Sequence, residues 1–290
     1  MSRLATLIDG KKLANELNEQ TKQAVEALSA KGVQPGLAVI IVGEDPASQL
    51  YVRNKHRKAA QLGIHSVVKQ LPADITQAEL LAVVRQLNSD SSIHGILVQS
   101  PLPEPLDEHE VTRTISPEKD VDGFHPLNVG LLYTNMKLQY PVACTPKGIM
   151  TMLAAYDVPL SGKHAVVVGR SNIVGRPMTA LLMQADATVT IANRHTENLK
   201  SLTRQADILV VATGVAHLIK AADVKPGATV IDVGMDRDEN GKLTGDVDFE
   251  AVSQVAGKIT PVPGGVGPMT IATLMQQTVE LAKWSETSGS

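Results

Sequence analysis

The chain has 290 residues, 43% hydrophobic and 20% charged, a globular balance that at roughly 150 residues per domain predicts two domains. Its net charge of -3 and aromatic content of 2% argue against a nucleic-acid partner, which needs a basic or base-stacking surface. The one cysteine, Cys144, cannot form an internal disulfide, and no apolar run approaches the roughly 20 residues that span a bilayer. We therefore expect a soluble, cytoplasmic protein that does not bind membranes.

Helix and strand patterns alternate along the first half of the chain. The predicted elements are a helix at 11–30, a strand at 37–42, a helix at 46–62, a strand at 64–71, a helix at 76–88 and a strand at 93–98. This order predicts parallel βαβ units. The prolines at 101–105 then predict a rigid loop at the carboxyl end of a strand, where open α/β sheets bind ligands.

A second alternation begins after residues 141–146. Strands are predicted at 164–168, 188–192, 208–212 and 229–233, with helices between the first three, and a closing helix at about 268–284. The pattern is typical of a second parallel sheet. We expect a first domain at 1–143, joined by the C-terminal helix 268–290, and a second domain at 144–267.

The segment 166–177 has the pattern of a strand, a turn with Gly169 and Gly175, and a helix with Pro177 in its first turn. Glycine lets the backbone approach a phosphate closely, and a helix N-terminus offers free N–H groups, so the segment suits a pyrophosphate. The spacing departs from G-x-G-x-x-G, and an ordinary strand-to-helix turn is the alternative.

The end of the next strand indicates which dinucleotide is bound. Folds that bind NAD usually place an acid about 20 residues on, where it accepts a hydrogen bond from the ribose 2′-hydroxyl. Residues 192–196 contain no acid, and Arg194 together with Arg170 suits a 2′-phosphate. We therefore predict NADP and a Rossmann-type second domain, with two solvated arginines as the alternative.

Three polar residues of the first half share one face of a predicted helix. Ser48, Tyr51 and Lys55 lie at i, i+3 and i+7, within roughly 60° of one another at about 100° per residue. A hydroxyl, a phenol and an amine on one face suit a cleft. Because other basic residues follow nearby, a plain solvated surface is the alternative.

Further candidates follow predicted strands or lie in loops. Gln99 ends an apolar strand, either as a positioned hydrogen-bonding group or as a simple strand terminus. Asp122, within KDVDG at 119–123, suits recognition of a polar heterocycle, with a turn-forming aspartate as the alternative. The segment 261–268 holds three glycines and three prolines, which predicts either a fixed loop that presents backbone groups to a ligand or an interdomain hinge.

Six motifs stand in a recognisable order. They are YVRNK at 51–55, GILVQ with PLP at 95–103, KDVDG at 119–123, CTPKG at 144–148, GRSNIVGRP at 169–177 and PVPGGVGPMT at 261–270. The chain resembles, over nearly its whole length, the bifunctional methylenetetrahydrofolate dehydrogenase/methenyltetrahydrofolate cyclohydrolase family. The resemblance implies an α/β fold of two parallel-sheet domains with the folate site in the cleft between them, NADP on the second domain, a homodimer, and a role in one-carbon metabolism and purine biosynthesis.

The resemblance also implies roles for individual residues. Lys55 matches the catalytic lysine, Gln99 the glutamine beside it, Tyr51 the tyrosine along the folate and Asp122 the carboxylate that grips the pterin, and these four form the predicted catalytic set. The predicted substrate-binding set is Ser48, Tyr51, Lys55, Val98, Gln99, Ser100, Asp122, Pro263, Gly264, Gly265, Val266 and Gly267. The predicted cofactor-binding set is Gly169, Arg170, Ser171, Gly175, Arg194 and Met235. No metal is expected.

Two positions depart from the family pattern. Ser100 replaces a leucine and Ala143 replaces a proline. Both lie beside motif residues, so they bear on pocket shape and folate affinity rather than on the reaction type. A dehydrogenase without cyclohydrolase activity and a non-catalytic nucleotide-binding regulator are the alternatives. Lys55 argues against the first, and the intact set of Lys55, Gln99 and Asp122 argues against the second.

Overall fold

The structure is a computed structural model that describes residues 4–237 and 241–288. Residues 1–3, 238–240 and 289–290, which fall inside the predicted domain ranges, lie outside this description. The described residues form two compact units. Unit 1 comprises those within Met1–Ala14 and Thr145–Thr270, and unit 2 those within Asn15–Cys144 and Ile271–Ser290.

The described part of the chain contains both strands and helices throughout. The strands are β1 (Thr6–Leu7), β2 (Gly36–Val42), β3 (His65–Leu71), β4 (Gly95–Val98), β5 (His164–Val168), β6 (Thr188–Ala192), β7 (Ile208–Val211), β8 (Thr229–Asp232), β9 (Asp236–Arg237), β10 (Leu243–Thr244) and β11 (Lys258–Ile259). The helices are α1 (Gly10–Ser29), α2 (Pro46–Gln61), α3 (Gln77–Ser89), α4 (Glu108–Thr114), α5 (Pro126–Tyr133), α6 (Cys144–Ala155), α7 (Gly175–Gln184), α8 (Leu199–Thr203), α9 (Phe249–Val252) and α10 (Val266–Ser288). Among these helices, none has the length and apolar character that crossing a membrane requires.

Unit 2 is built on a three-stranded parallel sheet with the order β3-β2-β4. The central strand β2 is buried at every residue, as its continuous apolar sequence predicts for a parallel strand covered on both faces. Alternate side chains enter different cores: Leu37 belongs to a cluster with Leu274 of α10, and Ala38 to a cluster with Leu80 of α3. The strands and helices predicted between 11 and 98 are confirmed, with ends shifted by one or two residues.

Unit 1 holds a six-stranded parallel sheet with the order β1-β11-β8-β7-β5-β6. The α/β class with parallel sheets is therefore confirmed, and β5 and β6 have the bounds predicted for them. The strands β1 and β11 were not predicted, because two residues are too few to show an apolar pattern. Since the strands are parallel, the turns after β5, β6, β7 and β8 all leave the same edge of the sheet.

Candidate functional site

Lys55 and Gln99 contact each other directly in unit 2. The Lys55 Nζ donates to Gln99 Oε1 at 3.0 Å. The backbone N–H of Gln99 donates to the carbonyl of Ile40 at 2.8 Å, which extends the ladder between β2 and β4 by one residue and fixes the Gln99 backbone. The Gln99 Nε2 donates to the carbonyl of Ser100 at 2.7 Å. These bonds orient the amide so that its oxygen faces the lysine amine.

The surroundings of this site shift the pKa values of Lys55 and Asp122 away from their ordinary values. Lys55 is only half-exposed, and burial lowers the pKa of its amine, although Asp122 and Cys144 act in the opposite direction. Burial raises the pKa of Asp122 to about 6, with Lys55 opposing that rise and Asp120 adding to it. An amine and a carboxyl with such shifts, close enough to influence each other, are characteristic of a chemical site.

The turn that carries Asp122 has a fixed shape. Asp120 is buried, and its Oδ2 accepts hydrogen bonds from the His125 N–H at 2.8 Å and from the Asn128 Nδ2 at 2.9 Å. Gly123 has a φ of +72°, and a Cβ at this position would lie 2.4 Å from the carbonyl carbon of Val142. Only glycine fits there, because the backbone conformation and the close approach both exclude a side chain.

The other predicted substrate residues of unit 2 lie around this group with different exposures. Tyr51 is 40% exposed on α2, Ser100 is exposed, and Val98 is half-buried at the end of β4. Ser48 is buried near the start of α2, where its N–H donates to Asp45 Oδ2 at 2.7 Å. The structure therefore brings Lys55, Gln99 and Asp122 into one interacting group, while the Ser48 N–H takes part in the capping of α2 by Asp45.

The glycine turn of unit 1 is shaped by two close backbone approaches. Gly169 has a φ of +121°, and a Cβ there would lie 2.1 Å from the carbonyl oxygen of Ala212. A Cβ on Gly175 would lie 2.1 Å from the carbonyl oxygen of Gly169. The Ser171 Oγ accepts from the N–H of Val174 at 3.2 Å, just before α7 begins. Backbone groups thus form a compact cradle at a helix N-terminus, an arrangement that suits phosphate.

The two arginines predicted to read the 2′-phosphate are exposed. Arg170 and Arg194 each lie two residues beyond the final paired residues of β5 and β6, which are adjacent in the sheet. The turn that carries Arg194 is held by the Asn193 N–H, which donates to Thr196 Oγ1 at 2.9 Å. The Arg194 Nε is 3.1 Å from His195 Nε2. Both guanidinium groups are thus presented to solvent from the same sheet edge.

The proline- and glycine-rich loop of unit 1 packs against the start of α1. The Lys11 N–H donates to the carbonyl of Gly264 at 2.9 Å, and Gly264 has a φ of +107°. A Cβ on Gly267 would lie 3.9 Å from the Sδ of Met235, which is 49% exposed. The structure therefore brings together one residue of the predicted substrate set and one of the predicted cofactor set.

Two buried carboxylates that the sequence analysis missed support the loops near Met235. Asp232, at the end of β8, accepts from the N–H of Gly234 at 3.0 Å, and burial raises its pKa to about 7. Asp246 is fully buried and accepts from Thr213, which follows β7, at 2.5 Å. An aspartate directly after an apolar run, as in VID at 230–232, is the signal available in the sequence. Across the described residues, no cluster of His, Cys, Asp and Glu is arranged to hold a metal ion.

Comparison with known families covers most of the chain. A model of the tetrahydrofolate dehydrogenase/cyclohydrolase catalytic domain matches residues 8–122, and a model of the NAD(P)-binding domain of the same family matches residues 143–286. The "Bifunctional protein FolD" of Levilactobacillus brevis is 66% identical over 286 residues, which are 99% of each chain. The protein of the same name from Lactiplantibacillus plantarum is 67% identical over 98% of this chain and 100% of its own.

Solved structures agree with these matches. The bifunctional enzyme FolD, a methylenetetrahydrofolate dehydrogenase/cyclohydrolase from Campylobacter jejuni, superposes with a TM-score of 0.95 at 49% identity, covering 97% of this chain and 99% of its own. The methylenetetrahydrofolate dehydrogenase-cyclohydrolase of Trypanosoma brucei, solved with NADP cofactor and inhibitor, has a TM-score of 0.94 at 38% identity, covering 98% and 99%.

Proposed function

The chain belongs to the tetrahydrofolate dehydrogenase/cyclohydrolase family, and on that premise we propose that it oxidises 5,10-methylenetetrahydrofolate with NADP and hydrolyses the product to 10-formyltetrahydrofolate. The observation that carries this proposal is the half-buried Lys55 amine, which has a lowered pKa and donates to Gln99 at 3.0 Å. Hydrolysis requires a proton-accepting group in the protein, and this amine is the group that fits.

The oxidation depends mainly on holding two molecules close together and aligned. The turn at Gly169 and Gly175 fits a dinucleotide, because its backbone leaves no space even for a Cβ and ends at a helix N-terminus. Arg170 and Arg194 supply the charge for a 2′-phosphate. Bound NADP would supply the acceptor for the hydride that leaves the bridging methylene group. The resulting cation is stabilised by the two nitrogens of the substrate itself, so this chain needs no strong base for this step.

The hydrolysis depends on proton transfer. Water must lose a proton as it attacks the methenyl carbon, and a ring nitrogen must gain one as the bond opens. Burial already favours the neutral form of the Lys55 amine, and a cationic substrate beside it favours that form further. Gln99, held by its own backbone and side-chain bonds, orients the amine.

The remaining groups of unit 2 bind the folate in this proposal. The carboxylate of Asp122 accepts N–H bonds from the amino and ring groups of the pterin, and its fixed turn supplies the geometry. The exposed ring of Tyr51 lies along the folate. Met235 and the loop 263–267 serve the nucleotide and the folate, respectively. The homodimer and the cytoplasmic location stay predictions drawn from the family resemblance and the composition.

A two-step assay tests the proposed function. The purified chain is mixed with methylenetetrahydrofolate and NADP, NADPH formation is followed by absorbance, and the folate product is then identified. We expect NADPH and 10-formyltetrahydrofolate together. If methenyltetrahydrofolate accumulates and hydrolyses only at the uncatalysed rate, the chain is a dehydrogenase alone. If no NADPH forms, the chain is a non-catalytic binding protein.

A further inference from the structure

We propose that Gln277, on α10, is a positioning residue that fixes the Asp122 carboxylate for folate binding by holding the peptide next to it. The assignment rests on the folate-binding role of Asp122 in the proposed function. Gln277 is fully buried in unit 2, and a buried side-chain amide normally has hydrogen-bond partners.

The amide of Gln277 binds two separate backbone segments at once. Its Nε2 donates to the carbonyl of Val121 at 2.7 Å and to the carbonyl of Val142 at 2.9 Å. Its Oε1 accepts from the N–H of Val142 at 3.2 Å. One side chain therefore satisfies both backbone groups of Val142 and ties that residue to the carbonyl immediately before Asp122.

Further contacts fix the backbone on both sides of Asp122. The carbonyl of Val121 also accepts from the Cys144 Sγ at 3.3 Å. On the other side, the backbone of Gly123 approaches Val142 so closely that a Cβ would lie 2.4 Å from its carbonyl carbon. The residues before and after Asp122 are thus fixed against the same segment, and Gln277 provides the amide that joins the two.

A binding group contributes its full affinity only when it is held in the correct position. A misplacement of about 1 Å in a site can cost on the order of 10²-fold in catalytic efficiency. Gln277 acts on Asp122 through the backbone, so its loss should weaken folate binding. The proton transfer at Lys55 should keep its pH dependence. A purely structural role would lower the melting temperature without this selective effect on folate.

The variant Gln277→Met keeps the length of the side chain and removes its amide. We expect the KM for methylenetetrahydrofolate to rise roughly 10- to 100-fold while the KM for NADP and the pH profile of kcat stay unchanged. Val279→Ala is the matched control, because Val279 is also buried in this core but lies about 200° around the helix from Gln277. It should lower the melting temperature and leave the folate KM unchanged.

A double-mutant cycle with Asp122→Ala tests whether the effect passes through the carboxylate. Gln277→Met should add little further loss of folate affinity once Asp122 is absent, because the two residues act as one unit. If Gln277→Met does not fold, Gln277→Leu, which is a shorter apolar side chain and also removes the amide, replaces it with the same expected result. Losses that add fully, or a Gln277 variant that matches Val279→Ala, would overturn the inference. A wild-type protein without NADPH formation would instead overturn the proposed function.

Discussion

The group around Lys55 and the turn around Gly169 are built in opposite ways. In the first, Lys55 and Gln99 are half-buried and hydrogen-bonded to each other, and burial shifts the pKa values of Lys55 and Asp122. In the second, the backbone supplies the shape, and the charged side chains of Arg170 and Arg194 stay exposed. Proton transfer requires a group with an altered pKa, whereas recognition of phosphate requires only close N–H groups and positive charge.

The largest expected effect is that of replacing Lys55, which should separate the cyclohydrolase activity from the dehydrogenase activity. Lys55→Met keeps most of the side chain's length and apolar contact but removes the amine, so cyclohydrolase activity should fall by about 10²- to 10⁴-fold while oxidation falls much less. Both rates are measured on one preparation that is folded and binds folate. Hydrolysis at the wild-type rate would remove Lys55 from the mechanism, and equal losses in both rates would make it a positioning group.

A second change tests folate binding by the same half-buried group. Asp122→Ala leaves the N–H groups of the pterin without a charged acceptor, so folate affinity should fall about 10- to 100-fold and both reactions should suffer. Titration calorimetry with a folate ligand measures this loss directly. Unchanged affinity would exclude Asp122 as the pterin-binding carboxylate.

The raised pKa of Asp122 gives the same site a pH dependence. In the folded protein without ligand this carboxyl is largely ionised only above its pKa of about 6. Folate affinity should therefore fall as the pH is lowered through about 6, because the protonated form loses acceptor capacity. Asp122→Asn should bind more weakly and show a flat profile across this range. A wild-type profile that is equally flat would contradict the assignment.

A substitution at Gly169 tests whether NADP binding depends on the backbone shape of the nucleotide-binding turn. Gly169→Ala places a Cβ 2.1 Å from a carbonyl oxygen at a φ of +121°, so the turn must distort. The left-handed region alone costs a side chain about 1–2 kcal/mol, and we expect NADP affinity to fall about tenfold. Cyclohydrolase activity should persist. Gly162→Ala is the control, since Gly162 has a φ of +73° with no atom within 4 Å of the added Cβ.

The smallest effect concerns an exposed charge. Arg194→Asp should raise the KM for NADP by roughly 3- to 10-fold and leave the KM for NAD nearly unchanged, because exposed charges interact weakly and only NADP carries the 2′-phosphate. The comparison uses initial rates with both cofactors at low and high salt. Equal use of NADP and NAD by the wild type would refute the predicted preference.

The features that the sequence predicted are those that depend on local residue patterns, such as strand bounds and the faces of helices. The bounds of β5 follow from an apolar run and those of β6 from alternating threonine and apolar residues, and the stripe of Ser48, Tyr51 and Lys55 follows from helical spacing. The contact of Lys55 with Gln99 depends on how two distant segments pack, so the sequence indicated it only through family resemblance. Gln277 was missed because no local pattern links it to Val121, which lies 156 residues earlier.

The pairing of β1 with β11 has a consequence for how the protein is made. Thr6 lies opposite Lys258, so β1 finds its partner only after about 250 further residues have been synthesised. The core of unit 2 likewise cannot be completed until α10 has been synthesised, because it includes Leu274 and Met275. Both units therefore complete their folding late and nearly together. Contacts between residues far apart in the sequence also make folding slow, because a long loop must close before they form. A cut after Cys144 would leave two incomplete cores rather than two independent domains.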